Sequence, residues 1–533
     1  MRIILKTILL NLLIVGCISN HEYNIVPKYS IFETWLQHSE QYENPYTEVN
    51  AYAEFRSPDG RTTKIPLFWN GGNQWGLRFA PDVEGEWQWN VKSSDNGLNG
   101  ISGEFTCTNA ETHGGVKVWK EHPYHFIYQD STPYWLFGET QWALTNTSAP
   151  NMPLEGEGCN TKTVKQYIDT RAEQGYNLVN IKLLAFGVNE GGDAFFRETV
   201  FDSIKKERIN PEFWKVADER LQYLHEKGIT GLLYLAWFRD NNDGGSLVRW
   251  AEFPNEEARL RYARYVIARY SAYNVALVIG GEWKPERPPV IDGDSKKPAM
   301  NIVKEVTEWD PHDRMIAVHG GGKGYHHKVF ANEPEIDVAD CQQVYKKRDQ
   351  RIREARQYNK PVINAEYGYY LRKFHSGLGN VGGMRHITWQ IAMSGGYFVT
   401  GWGSTYFGGF RHHTSFGTEA NPRNVEWEEQ AIHVKNFFNS INWWEYEPVD
   451  SVVLTERGIS YCLSNKKEYL IYIIDENWKF NVLLNDDVEK NYRVHLFNPR
   501  TGKQHFYGEF LAKDTLELIS PDRNDWVFKV ITK

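Results

Sequence analysis

The sequence predicts a (β/α)8 barrel flanked by a β-sandwich at each end. Three observations carry that expectation. Between about residues 113 and 446, eight apolar strand candidates alternate with helical runs. Ahead of them, residues 25–112 read as short alternating strands broken by Gly, Pro, Asn and Asp turns. Residues 447–533 return to that strand-and-turn pattern, and a chain of 533 residues has room for all three parts.

In the first part, "TEVNAYAEFRSP" alternates into the turn "SPDG", "TKIPLFWNGGNQWGLRFAP" passes a glycine pair, and "GEWQWNVKS" alternates sharply. Such spacing indicates a sandwich. The barrel strands are expected in "YWLFGETQW" (134–142), "YNLVNIKLLAF" (176–186), "ITGLLYLAWF" (229–238) and "NVALVIGGEW" (274–283). The other four are "DRMIAVHGGG" (313–322), "IDVADCQQVY" (336–345), "KPVINAEYGYY" (360–370) and "GGYFVTGWGS" (395–404). Helical runs such as "EFWKVADERLQYLHEKG" and "NEEARLRYARYVIARYS" lie between them. In the latter, Leu260, Ala263, Val266 and Ile267 recur at helical spacing, which assigns its surplus charge to a solvated face. A doubly wound sheet is the alternative, but no Gly-x-Gly-x-x-Gly loop follows the first strand. After residue 447, "GISYCLSN", "EYLIYIID", "YRVHLFNPRTGK" and "DWVFKVITK" form the strands of the small C-terminal sandwich.

Composition narrows the function. Aromatic residues make up 14% of the chain, with 20 Trp. Indole and phenol faces stack on the C–H faces of sugar rings, so the excess hints at carbohydrate, although cores use the same residues. The net charge of −8 argues against nucleic acid or an anionic membrane surface as the main partner. The start, "MRIILKTILLNLLIVGC", reads as a secretory signal over residues 1–17, with Arg2 and Lys6 around a short apolar segment. Its "IVGC" resembles the bacterial lipobox, which implies cleavage before Cys17 and a lipid on its thiol as the membrane anchor. Surface-export signals resemble an acidic run after that cysteine; "CISNHEYN" offers only Glu22, which favours the periplasmic face. Cys107, Cys159, Cys341 and Cys462 show no Cys-x-x-Cys or Cys/His pattern, so no metal is expected and the four read as small buried residues. No cofactor motif is present.

Reactive residues of such barrels lie at the C-terminal ends of the strands. That rule selects Glu139, Asp240, Glu282, His319, Asp340, Tyr345, Glu366 and Trp402. Glu282 and Glu366 each close an apolar strand, the fourth and the seventh. Glycosidic cleavage needs one carboxylic acid to protonate the leaving oxygen and one carboxylate to attack or to activate water. The two must ionise differently, and Trp283 with the apolar run behind Glu282 offers one way to separate them. A salt bridge to a loop cation is the structural alternative for either residue.

Glutamates on strands four and seven resemble the arrangement of retaining clan A glycosidases. The domain order, "WGLRFAPDVEGEWQWNV" and "PYWLFGETQWAL" resemble the apiosidase-like barrels of glycoside hydrolase family 140 and their relatives, over about residues 30–450. The resemblance implies Glu282 as acid/base, Glu366 as nucleophile, no cofactor, and an oligosaccharide or polysaccharide of plant or algal origin as substrate. One position departs. Many clan A enzymes place Asn directly before the strand-four Glu, where it binds the sugar 2-hydroxyl; here Gly281 stands there.

Other residues are candidates for sugar contact: Glu139, Trp142, Asp240, Trp283, His319, Tyr345, Trp402 and His412. His319 is also placed to orient a glutamate, and Tyr345 to hold Glu366 ionised. His412 and His413 are neighbours, so on a strand they point to opposite sides and do not suit a metal. Two other classes stay open from sequence: a glycan-binding lipoprotein on a degenerate barrel, and a polysaccharide lyase. The absence of Gly-x-Ser-x-Gly disfavours an α/β-hydrolase.

Overall fold

The computed structural model describes residues 25–142, 144–145, 163–183, 201–238, 249–285, 294–320, 327–342, 348–368, 381–401, 422–456, 458–474, 479–484 and 488–533. Cys17, Cys159, Asp240, Tyr345, Trp402, His412 and His413 lie outside them.

The central sheet comprises β1 (Phe137–Thr140), β2 (Leu178–Lys182), β3 (Thr230–Tyr234), β4 (Val275–Val278), β5 (Ile316–Ala317), β6 (Ala339–Asp340), β7 (Val362–Tyr367) and β8 (Tyr397–Thr400). Every recorded pair is parallel, and β8 pairs with β1, so the order is that of a barrel. Between β5 and β6 the Asp337 amide donates to the Ile316 carbonyl at 2.9 Å, and the Ile316 amide donates to the Asp337 carboxylate at 2.7 Å. Each strand falls inside its predicted stretch, in the predicted order.

Helices α1 (Val164–Glu173), α2 (Pro211–Glu226), α3 (Glu256–Tyr270), α4 (Lys297–Trp309), α5 (Arg348–Arg356), α6 (Val381–Met393) and α7 (Pro422–Asn439) surround the strands. The start signals are local. Asn210 and Asn255 cap α2 and α3 by accepting from backbone amides, and Thr163 with Gln166 forms a capping box on α1. Along β2, Val179 and Ile181 pack outward against the helices, while Leu178 shares the inner cluster with Leu232, Tyr234, Ala276 and Val278. Asn180 and Lys182 alternate with Leu178 and therefore face the lumen.

The N-terminal sandwich pairs a five-stranded sheet with a three-stranded one around Phe55, Leu77, Trp87 and Phe105. The C-terminal sandwich pairs six strands with three around Ile471, Val482, Val494 and Phe528. Cys107, Cys341 and Cys462 are buried.

Charge clusters tie both sandwiches to the barrel. Arg78 donates to Asp218 of α2 at 2.7 Å and to the Arg269 carbonyl of α3 at 3.0 Å; Arg269 in turn donates to Asp218 and Asn70. This corrects the reading of α3. Leu260, Ala263, Val266 and Ile267 do face the barrel, but Arg269 is buried beneath the sandwich and not solvated. On the other side, Arg385 of α6 grips Asp525 bidentately at 2.7 and 2.8 Å, and the Tyr472 hydroxyl donates to the same carboxylate.

Candidate active site

At the end of β4 the chain leaves regular strand geometry. Ile279 packs outward, Gly280 lies against Phe238 and Trp250, and Gly281 lies against Trp237. A Cβ on Gly281 would stand 2.3–2.5 Å from the Trp237 indole, so a side chain there would have to displace that ring. Glu282 follows with φ of 53°, in the left-handed region that a β-carbon disfavours. Such strain outside a glycine is concentrated at functional sites. Glu282 is half-buried.

The left-handed residue also decides where Trp283 goes. Its ring is 1% exposed and packs edge-to-face on Phe330 in the outer layer, with Nε1 donating to the Ser295 carbonyl at 3.2 Å. Trp283 is thus a packing residue and not the sugar contact expected from sequence. Its backbone amide donates to the His319 carbonyl at 2.9 Å, which fastens the Glu282 turn to the exit of β5.

His319 joins that turn to Glu366. Its Nε2 lies 3.2 Å from Glu366 Oε2, and its Nδ1 lies 2.5 Å from Asp340 Oδ2. Burial alone would depress the imidazole pKa; Asp340 and then Glu366 outweigh it and raise the pKa to about 10. His319 is therefore an imidazolium at neutral pH. Gln342 adds a second donor, Nε2 to Glu366 Oε2 at 2.6 Å. Glu366 is 4% exposed. Of the two tasks expected of His319, the geometry matches orienting a glutamate.

Around this core lies an aromatic wall. The Tyr234 hydroxyl is 3.4 Å from His319 Nδ1, and burial, followed by Asp340 and Glu366, keeps its pKa well above the usual tyrosine value. Trp237 stacks on Tyr234 at 5.3 Å, and Trp142 meets both rings edge-on. Lys182 lies 5.0 Å from the Trp142 ring and 4.9 Å from the Trp237 ring.

Glu139 does not join the site. On β1 it points outward, where Arg171 Nε of α1 donates to it at 2.5 Å and the Tyr167 hydroxyl bonds to the same oxygen. At 1% exposure it is a strand-to-helix ion pair, which corrects its expected role as a sugar ligand. Gln342, Lys182, Tyr234 and Trp237 were not singled out from sequence. Period-two alternation was their signal, since Asp340 and Gln342 share one face, as do Asn180 and Lys182. Among the described residues no group of three or more His, Cys, Asp or Glu could hold a metal.

The profile of the apiosidase-like catalytic domain matches residues 120–445, well over half the chain. The chain belongs to the apiosidase-like family. It is a glycosidase by that membership. A second profile, of a domain of unknown function designated DUF5060, matches residues 25–94. No curated protein matches. Among solved structures, a candidate glycoside hydrolase from Bacteroides vulgatus ATCC 8482 aligns over 96% of this chain and 100% of its own, with 20% identity and a TM-score of 0.73. A glycoside hydrolase family 5 protein from the same organism aligns over 79% of this chain and 93% of its own, with 17% identity and a TM-score of 0.59. At these identities the two similarities speak for the fold, and the apiosidase-like domain coincides with the barrel.

Proposed function

We propose that the chain is a retaining glycoside hydrolase with Glu366 as nucleophile and Glu282 as acid/base. The observation that carries this reading is the pair of donors on Glu366 Oε2, the His319 imidazolium and the Gln342 amide. Donors aimed at a carboxylate oxygen stabilise its charged form, which a nucleophile requires. Glu282, the more exposed of the two, suits the group that must exchange its proton with a leaving oxygen and then with water.

In the first step the Glu366 carboxylate attacks the anomeric carbon while Glu282 protonates the departing oxygen. In the second, Glu282 takes a proton from water, the water oxygen attacks the anomeric carbon, and Glu366 departs. Two inversions give net retention, and pairs that work this way stand about 5–5.5 Å apart. The family name points to apiose as a sugar released by relatives, which accords with fragments of plant or algal polysaccharide as substrate. We also propose a lipid at Cys17 and residence on the periplasmic face of the outer membrane; the support is the basic, apolar and cysteine-terminated start of the chain.

The experiment is hydrolysis of defined plant and algal oligosaccharides with the first-formed product anomer read by proton NMR. Retention supports the double displacement. Inversion overturns it.

A further inference from the structure

We infer that the cleft between the N-terminal sandwich and the foot of the barrel binds a phosphate group, held by Arg314, His312 and Lys117. The cleft has a volume of about 250 Å3 and lies between Arg61, Phe79 and Asp82 of the sandwich and the segment that leads into β5. His319 leaves β5 at its other end, so this is a site across the barrel from the two glutamates.

Arg314 is 4% exposed, and no carboxylate among the described residues pairs with its guanidinium. Its Nε donates to the Ser271 carbonyl at 2.8 Å, and Nη1 lies 3.5 Å from Gln129 Oε1. Nη2 has no acceptor among the described residues, yet it is not sealed in the interior, so its N–H groups open on the cleft. Burial pulls the Arg314 pKa down to about 10, against the raising pull of Asp310 and then Asp313. Neither acid closes on the cation. Asp310 accepts from the backbone amides of His312 and Arg314 at 3.0 and 2.7 Å, and Asp313 is exposed. A buried cation without a close counter-charge is costly, and an oxyanion in the cleft relieves that cost.

His312 is the second donor. Its Nε2 accepts from the Ala80 amide at 3.5 Å, and burial, then Arg314, holds its pKa well below the usual value. The ring is therefore neutral with its proton on Nδ1, which has no acceptor among the described residues and is not sealed off either. Lys117, half-buried on the strand Val116–Val118, lines the same cleft and has no carboxylate partner among the described residues. Arg61 is already occupied by Asp82, at 3.0 and 3.1 Å, and by Asp59. Arg314 and Lys117 are thus left to face the exposed Asp313. A guanidinium edge, an imidazole and an ammonium on two separate segments suit the several oxygens of a tetrahedral phosphate better than one planar carboxylate.

A lipid headgroup and free inorganic phosphate are the two sources of such a group. The path of the chain favours the headgroup. The Tyr29 amide donates to the Pro81 carbonyl at 2.8 Å, next to Asp82, and the Tyr29 hydroxyl donates to the Gln129 carbonyl at 3.4 Å. The start of the chain therefore passes the rim of the cleft, and the proposed lipid at Cys17 lies within about 43 Å of extended chain from Tyr29. That source rests on the lipid-anchor reading; the site itself does not.

Calorimetric titration of the purified full chain with inorganic phosphate tests the site. Wild type, Lys117→Met and Arg314→Gln are compared, with melting temperature as the check on folding; if Arg314→Gln does not fold, Lys117→Met decides. The expected result is binding by the wild type that weakens about tenfold in each variant, with hydrolysis of an aryl glycoside unchanged. No binding at millimolar phosphate, equal affinity in wild type and Lys117→Met, or tighter binding of glucuronate than of phosphate overturns the assignment. Vesicles of phosphatidylcholine with and without phosphatidic acid separate the sources, read as the difference between wild type and Lys117→Met so that any anchor cancels. With phosphate binding established, a difference specific to phosphatidic acid supports the headgroup, and equal retention of the two proteins supports free phosphate.

Discussion

The imidazole of His319 reaches Glu366 Oε2 at 3.2 Å while Asp340 holds its other nitrogen at 2.5 Å. Because His319 carries a raised pKa of about 10, its contribution to stability is complete below the unfolded value of about 6.5 and is lost as pH rises through about 10. Asp340→Asn removes the larger of the two opposing charges. Urea unfolding between pH 6 and 10.5 should show stability falling with pH in the wild type and a flatter profile in the variant. Turnover should fall on the order of tenfold, with the alkaline limb displaced to lower pH. Superimposable pH profiles would remove His319 from the support of Glu366.

Gly281→Ala tests the packing at the turn. The new methyl meets Trp237, and overpacking of this kind costs about 1–3 kcal/mol. Combining it with Trp237→Ala should recover part of the loss, because the two positions share one space. Chemical denaturation of the four proteins gives the coupling. Strict additivity would contradict the contact.

Glu139 distinguishes a structural charge from a ligand. Glu139→Ala removes one of the two carboxylates on buried Arg171, leaving Glu428 at 3.3 Å, and should cost about 3 kcal/mol. The KM of the folded enzyme should hold within about twofold. A raised KM with unchanged stability would return Glu139 to the sugar site.

Asp525 tests the docking of the C-terminal sandwich. Burial opposes its ionisation, but His386 and Arg385 outweigh burial and hold its carboxyl well below the usual range. Its contribution is therefore present above the unfolded value of about 3.9 and is lost as pH falls through the lower folded value. Limited proteolysis at pH 4 should leave wild-type docking intact, while Asp525→Asn should be cut between the domains at neutral pH as well. Equal resistance in both proteins would show that the apolar contacts suffice.

The strands, their order and the three-part architecture were legible because apolar period and turn residues are local properties. Glu282, His319 and Glu366 were placed at strand exits for a related reason: the ends of barrel strands can be read along the chain. Which way a side chain faces at such an end was harder to read. Trp283 turns outward because Glu282 adopts a left-handed backbone, and no spacing rule announces that. Glu139 turns toward Arg171, whose position depends on how α1 packs. Arg269 was assigned to solvent because the α3 pattern alone cannot show that a second domain covers that face. Gly281 looked like turn punctuation with an unexplained missing side chain; Trp237, 44 positions earlier, accounts for it.

Azide rescue tests the division of labour between the two glutamates most directly. Glu282→Gln and Glu366→Gln should each abolish turnover of a natural oligosaccharide. With an activated aryl glycoside, azide should restore turnover to Glu282→Ala and yield a glycosyl azide of retained configuration, since Glu366 still forms the intermediate. Full activity in both glutamine variants, or azide rescue with retention in Glu366→Ala, would contradict the assignment.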